Sequence, residues 1–564
     1  MTAVPAEARG PARAPKRVRR PRHWGAVAIA ALVAVVVAVP VVTLVGIALS
    51  GDGSDWPHLA ENVLPRSLRD TLHLLVLTAA GTVSIGVVSA WLVVAFDFPF
   101  RRVFAWALVL PLAVPTYLAA YAFGEFFHFT GPVQSLLREA AGFQTSRDYW
   151  FPDIRSTTGA AIVLSAVLYP YVYLTTRIVF LLQGRGIADV ARTLGAGPAR
   201  VLVKVLLPVA RPAIVAGLAL VMMEAINDIG AAEYLGVRTL TLSVYSTWLN
   251  RGSLEGAAQI ALVMLVLVAG LIAAEQWGRR TRRFHAHRAT HLKARPPRVS
   301  LGGLRAALAV IALLLPVAAG FGIPLWVFGG YVAVRLEQFA DPALHAAFAT
   351  TVSIATLTAL VTIAAALLLL YALRVTRSGL TALLVRIGSV GYALPGTILG
   401  LGLLFSLASL DNHVDALARE HFGVSTGLLF SGSITAVVLA CSIRFLALAE
   451  GAIRSGIEKL PPHLDEAARS LGRAPYQAAA GVVLPLLGPA ILSAGVLVFV
   501  DTAKELSATI LLRPFGFNTL ATFVYENASR GVVEDGAAAA LLIIVTALAP
   551  VALLSGALSR DREA

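Results

Sequence analysis

The sequence predicts an all-α polytopic membrane protein with about twelve transmembrane helices in two parallel six-helix halves. Three observations lead there. The 564 residues are 57% hydrophobic and 14% charged, with a mean hydropathy of +0.77, more apolar sequence than a soluble core can use. A loop sequence occurs twice: Ala191, Arg192, Leu194, Gly195, Pro198, Leu207, Pro208, Pro212, Ala213 and Ile214 each recur 277 residues later, between Ala468 and Ile491. The basic residues sit in loops beside apolar runs, as the positive-inside bias requires.

Each element follows from the rule that a span needs about 20 apolar residues. Residues 1–23 form a basic cytoplasmic tail carrying Arg13, Lys16, Arg17, Arg19, Arg20 and Arg22. The apolar stretch after it is longer than a signal-peptide core of roughly 7–15 residues, so it reads as a first span. Spans are expected at 24–50, 69–96, 103–127, 157–183, 210–231 and 254–277, then at 304–328, 347–373, 380–409, 424–449, 488–512 and 535–558. The first set makes a half at 24–278 and the second a half at 304–558. Between them, 279–303 is a basic cytoplasmic linker, and 559–564 is a cytoplasmic tail. Arg101 and Arg102, both repeated loops and the linker then all fall on the cytoplasmic side.

The repeat extends beyond the loops. Pro115 pairs with Pro395, Thr239-Leu240 with Thr519-Leu520, and Tyr245 with Tyr525, all at +280. Glu224 and Asp228 pair with Asp501 and Glu505 at +277. An even number of spans per half makes the repeats parallel, related by an axis along the membrane normal.

Within each repeated loop, Ile187, Val190, Ala191 and Leu194, and Leu464, Ala467, Ala468 and Leu471, follow the spacing of one helix face. Gly195 and Gly472 stand where a left-handed helix cap is favoured. Pro198 and Pro475 stand where a second helix can begin, and Pro208 and Pro485 interrupt the pattern again before the next span. The product is a short helix, a glycine turn and a second helix on the cytoplasmic surface. Retention of that polar pattern in both halves argues for a two-fold symmetric partner.

This pattern resembles the "EAA" loop of bacterial ABC-importer permeases, and the chain is similar to the type I, MetI-like fused permeases with both halves in one polypeptide. Glu466-Ala467-Ala468 matches the name-giving triplet; the first copy departs from it with Asp189-Val190-Ala191. The resemblance implies coupling loops at 187–212 and 464–489, in which Asp189, Ala191, Leu194 and Gly195, and Glu466, Ala467, Ala468, Leu471 and Gly472, meet a cytoplasmic ABC ATPase dimer. It also implies a periplasmic or lipid-anchored substrate-binding protein and a place in the bacterial plasma membrane. None of the five lysines lies in a G-x-x-x-x-G-K-[ST] phosphate loop. ATP and Mg²⁺ are therefore expected on the partner ATPase, with no cofactor on this chain and no enzymatic activity of its own.

Charges inside spans are costly and point to function. Glu224 and Asp228 are spaced i, i+4 and share a helix face, as do Asp501 and Glu505. With Asn227, Glu233 and Lys504 they are the candidate translocation path. Two readings stay open: a buried network, with Lys504 neutralising Asp501 or Glu505 and Asn227 bonding backbone near Gly230, or a path of oxygen ligands. Oxygen suits hard cations, and the single cysteine, Cys441, excludes a thiolate site. Charge alone does not separate a metal from an organic cation. The segments Glu224–Gly230, Tyr234–Leu240 and Lys504–Leu520 resemble the ferric-iron branch of these permeases, with Asp228-Ile229-Gly230 and Glu505-Leu506-Ser507 as departures from its pattern. Thiamine and other cationic cargoes belong to close relatives of that branch.

Other classes fit less well. An ion-gradient-driven secondary transporter has no need of repeated docking loops. A membrane-embedded enzyme or metal tract would have to use His285, His287 and His291, which lie among arginines in the linker. Nucleic-acid binding is disfavoured because the +14 charge is spread through membrane-flanking loops.

Overall fold

The computed structural model describes residues 24–51, 53–181, 191, 193–280, 298–376, 378–461, 464, 470, 472 and 474–560. Among them, ten helices are long and apolar enough to cross a membrane, or twelve if each of two sharply bent helix pairs makes one span. Helix is the structure a spanning segment must adopt, because hydrocarbon offers backbone groups no other partner. One pair of two-residue strands, Phe96–Asp97 and Val299–Ser300, joins the turn after the second long helix to the segment before Gly303 in parallel, continued by Leu301 N–H donating to Asp97 O at 2.9 Å.

The expected spans are present, with three departures. First, the segments 103–127 and 380–409 are each broken at their paired proline. Val114 and Leu394 are extended (ψ 113° and 124°), as a residue before proline prefers. Helices restart at Thr116 and Gly396, and the first break turns the chain by 96°. Second, the span expected at 424–449 runs instead from Ile434 to Glu458. The preceding helix continues through the polar run 411–422 to Phe422, and Asp411 pins the next turn by accepting from the Phe430 and Ser431 amides at 3.0 and 2.8 Å. Third, Pro208 does not interrupt its span. Pro198–Asn227 is one 30-residue run with a π-helical turn at Leu202–Leu206 just before the proline, which relieves the clash of the ring with the preceding turn. The second copy has the same π turn at Ala479–Val483, yet it bends by 65° before Gly488–Ala503.

The repeat is visible atom by atom. Thr71 Oγ1 accepts from Leu240 N–H at 2.9 Å, and Thr351 Oγ1 from Leu520 N–H at 2.8 Å. Those threonines donate in turn to Ser67 O and Ala347 O. Thr239 and Thr519 cap the helices that follow them. The halves are not separate bodies. Trp24–Ser50 packs through Ala26, Ala30 and Val37 on Val385, Leu399 and Leu403 of the second half. Gly303–Val334 places Phe328 in the core of the first, with Leu118 and Leu164. Leading helices are thus exchanged between the contiguous units 24–278 and 304–558. Small residues permit the close contacts, as expected where lipid supplies no hydrophobic drive between helices. A Cβ on Gly402 would lie 2.4 Å from Pro40 O, and one on Gly320 2.0 Å from Ala166 O.

Candidate translocation path

The two acidic segments meet where the halves meet, through broken helices rather than a shared helix face. The helices end at Asn227 and Ala503, so Asp228 and Glu505 lie just past them in non-helical backbone. Each carboxylate then accepts from the amide three residues on: Asp228 Oδ1 from Ala231 N–H at 2.8 Å, Glu505 Oε1 from Ala508 N–H at 3.0 Å. These are the first turns of the short helices Gly230–Tyr234 and Thr509–Leu512. A break at this depth is tolerated because side chains take over the freed backbone groups.

Asn227 ties the halves together. Its Oδ1 accepts from Gly396 N–H at 2.5 Å and from Arg444 Nη1 at 3.0 Å, and its carbonyl accepts from Ser507 Oγ at 2.8 Å. Asn227 therefore bonds across to the second half and not to backbone near Gly230. Arg444 also reaches Glu505 Oε1 at 3.2 Å, with both side chains buried. Lys504 pairs with Asp501 at 2.8 Å, one of the two partners the sequence left open. Glu224 accepts a long bond, 3.5 Å, from the Tyr392 hydroxyl of the other half.

These groups line one cavity of about 90 Å³, room for a few waters or a partly hydrated ion. Glu224, Asp228, Asp501 and Glu505 face Arg444 and Lys504 there, with Pro115, Tyr117 and Tyr171 among the walls. Four carboxylates against two cations leave the lining anionic. Among the described residues no group of three or more His, Cys, Asp or Glu is placed to hold a metal ion, so the lining is not a ready-made chelate. Glu233 does not join it. It is exposed and accepts from Tyr525 of the other half at 2.5 Å. The short helix from Gly230 turns it away from the cavity.

Arg444 is the residue the sequence reading passed over. Its signal was present, since it is a lone charge inside an apolar run expected to span, and that alone marks a functional candidate.

Outside the cavity lining, the described parts of the repeated loops agree in geometry. Gly195 and Gly472 have φ of +82° and +84°. Ala196 N–H donates to Ala191 O at 3.0 Å, the six-to-one bond of a Schellman cap. New helices start at Pro198 and Pro475. Leu194 is 82% exposed. Asp189, Glu466, Ala467, Ala468 and Leu471 lie outside the described residues.

Residues 82–282 match the family of binding-protein-dependent transport system inner membrane components. The chain is 23% identical to the Fe(3+)-transport system permease protein FbpB 2 of Haemophilus influenzae over 516 residues, covering 91% of this chain and 93% of that protein. Over 211 residues it is 27% identical to a protein of Salmonella typhimurium described as a 2-aminoethylphosphonate transport system permease, PhnU, covering 37% of this chain and 72% of that one. Over 176 residues it is 28% identical to a protein of Chlorokybus atmophyticus described as a sulfate transport system permease, cysT, covering 31% of this chain and 58% of that one. Residues 82–282 thus carry an inner-membrane permease unit, a second set of the same contacts follows it in this polypeptide, and the chain as a whole is similar to an Fe(3+)-transport system permease.

Proposed function

We propose that this permease admits a cationic cargo, ferric iron, through the cavity between its halves, driven by a separate ABC ATPase dimer. The observation that carries the reading is the excess of carboxylates over cations in the cavity. Oxygen donors of this kind favour hard cations. The same excess opposes sulfate or a phosphonate, the anions in the names of two shorter matches. The relative that matches end to end is named for Fe(3+) transport.

In this reading the termini and both repeated loops face the cytoplasm. The ATPase dimer docks on 187–212 and 464–489, where the exposed Leu194 and the two left-handed glycines form part of the contact. ATP and Mg²⁺ belong to that partner. A binding protein delivers cargo to the opposite face. Closure of the ATPase moves the loops and opens the bonds from Asn227 to Gly396, Arg444 and Ser507. Cargo then passes between the acidic walls, and hydrolysis resets the halves.

The test is transport in proteoliposomes holding this chain, its ATPase and its binding protein. ATP-dependent uptake of radiolabelled Fe³⁺ that unlabelled thiamine does not reduce is the expected result. An ATPase that responds to its binding protein without moving iron refutes the iron assignment. Uptake by the chain alone under an imposed ion gradient refutes the ATP-driven one.

A further inference from the structure

The two repeat-related carboxylates reach the cavity in different states. Glu505 is fully engaged. Its Oε1 takes Ala508 N–H and Arg444 Nη1, and its Oε2 takes the Thr509 amide at 3.0 Å and the Thr509 hydroxyl at 2.8 Å. Asp228 spends one oxygen on the Ala231 amide. Its Oδ2 has no hydrogen-bond partner of good geometry, although the Thr116 hydroxyl and the Gly230 amide lie near the carboxylate, and the residue is only 7% exposed. Tyr117 lines the same cavity at 4% exposure, and its hydroxyl is also unpartnered. A buried carboxylate oxygen left unsatisfied is costly. The asymmetry is written in the repeat, because Arg444 of the second half corresponds to Val167 of the first at +277, and both side chains line the cavity.

We propose, resting on the cation-import reading above, that the cargo is held in transit on the first-half wall alone. Asp228 Oδ2 supplies the charge and the Tyr117 hydroxyl, from the same lining, a neutral oxygen. Arg444 fills the equivalent place on the second wall as a tethered counter-ion. One carboxylate and one phenol are a poor donor set for a hard cation, which takes six or more oxygens. The rest of its coordination stays water. That weakness suits a conduit, where binding must be favourable enough to enter and weak enough to leave. Selection among hard cations then rests with whatever delivers the cargo, and this wall passes any small hydrated cation presented to it.

The experiment measures iron moved per ATP hydrolysed in the reconstituted importer. Asp228→Asn is expected to lower that ratio at least about tenfold further than the pair Arg444→Met with Glu505→Gln, which removes one charge of each sign and keeps the net charge of the lining. Asp228→Glu restores the ratio to within about threefold of the parent, which separates loss of the charge from a folding defect. Delivery of Ga³⁺ on the same binding protein gives the same ordering. Equal losses in Asp228→Asn and the Arg444/Glu505 pair, or a normal ratio in Asp228→Asn, overturn the one-wall site while leaving iron import intact. A parent importer that moves neither metal overturns the cation reading and this inference with it.

Discussion

Removing Arg444 tests whether its buried contact with Glu505, which sets it against Asn227 of the other half, is an ion pair held for conformational control or simple packing. In Arg444→Met, Glu505 remains in a 6% exposed site without its cation. Breaking one side of a buried pair costs about 3–5 kcal/mol. Glu505 keeps three bonds, from the Ala508 amide and the Thr509 amide and hydroxyl, and Asn227 Oδ1 keeps the Gly396 amide. Those bonds place the expected loss near the lower end, about 3 kcal/mol. Adding Glu505→Gln removes the stranded charge, but its amide nitrogen can no longer accept from one of the Ala508 and Thr509 amides, so the pair is expected to lie about 2 kcal/mol below the parent. The double variant is therefore more stable than the single one by about 1 kcal/mol. Equilibrium unfolding of the purified chain in mixed detergent micelles, run as a double-mutant cycle, measures this directly. Additive losses, with the double variant the least stable of the set, would refute the reasoning and make Arg444 a packing residue.

Gly195→Pro or Gly472→Pro, at backbone held near φ +82° and +84°, is expected to leave membrane insertion intact and abolish the cargo-stimulated response of the partner ATPase, since proline fixes φ near about −65°; a normal response in either variant counts against the coupling assignment. Thr71→Val and Thr351→Val remove equivalent acceptors from the Leu240 and Leu520 amides, so each should cost about 1 kcal/mol in the same unfolding measurement, and a difference above about twofold between them would mean the repeat is not energetically matched. Gly402→Ala places a methyl 2.4 Å from Pro40 O and should lower stability by about 1–3 kcal/mol by lifting the leading helix off the second half, as seen by increased hydrogen exchange along 24–50. Asp148, in the loop after the first broken span, has its carboxyl held below the usual 3.8 chiefly by the Thr145 amide and also by the Gln144 amide. Because its folded value is depressed, its hold on that loop is complete above the unfolded value and is lost as pH falls through the lower folded one; the protection of the Gln144 and Thr145 amides relative to intrinsic exchange should stay flat from pH 8 to about 5 and fall only in strong acid, whereas a fall near neutrality would exclude Asp148 as the anchor.

Much of this architecture was legible because it depends on residues that act locally. Proline at 115 and 395, glycine at 195 and 472 and threonine at 239 and 519 each force or favour one backbone state, and each does so in the structure. Apolar run length located the helices, but not where they stop. Residues 411–422 are polar and still helical, because beyond the hydrocarbon a helix needs no apolar face all round. The breaks at Asn227 and Ala503 were hidden for the opposite reason. The i, i+4 spacing of Glu224 with Asp228 is that of an intact helix, and only the capping bonds to Ala231 and Ala508 reveal that the helix has ended. Exchange of the leading helices left no trace in hydropathy, since apolar content does not say which half a span packs on. Arg444 was readable as a buried charge, but its partner Asn227 lies 217 residues away in the chain, and no periodicity links them.

The unmatched Arg444 and Val167 carry a consequence for how such a pore can evolve. In a homodimer with a two-fold axis along the pore, every substitution appears on both walls, so lining charge changes only in even steps. An arginine introduced there would face its own copy across a narrow gap. Covalent fusion of the two units releases each wall to drift by itself, and the valence of the lining becomes adjustable one unit at a time. A single gene can then retune the pore for cargo of odd charge, a parity that a symmetric assembly of identical subunits is denied.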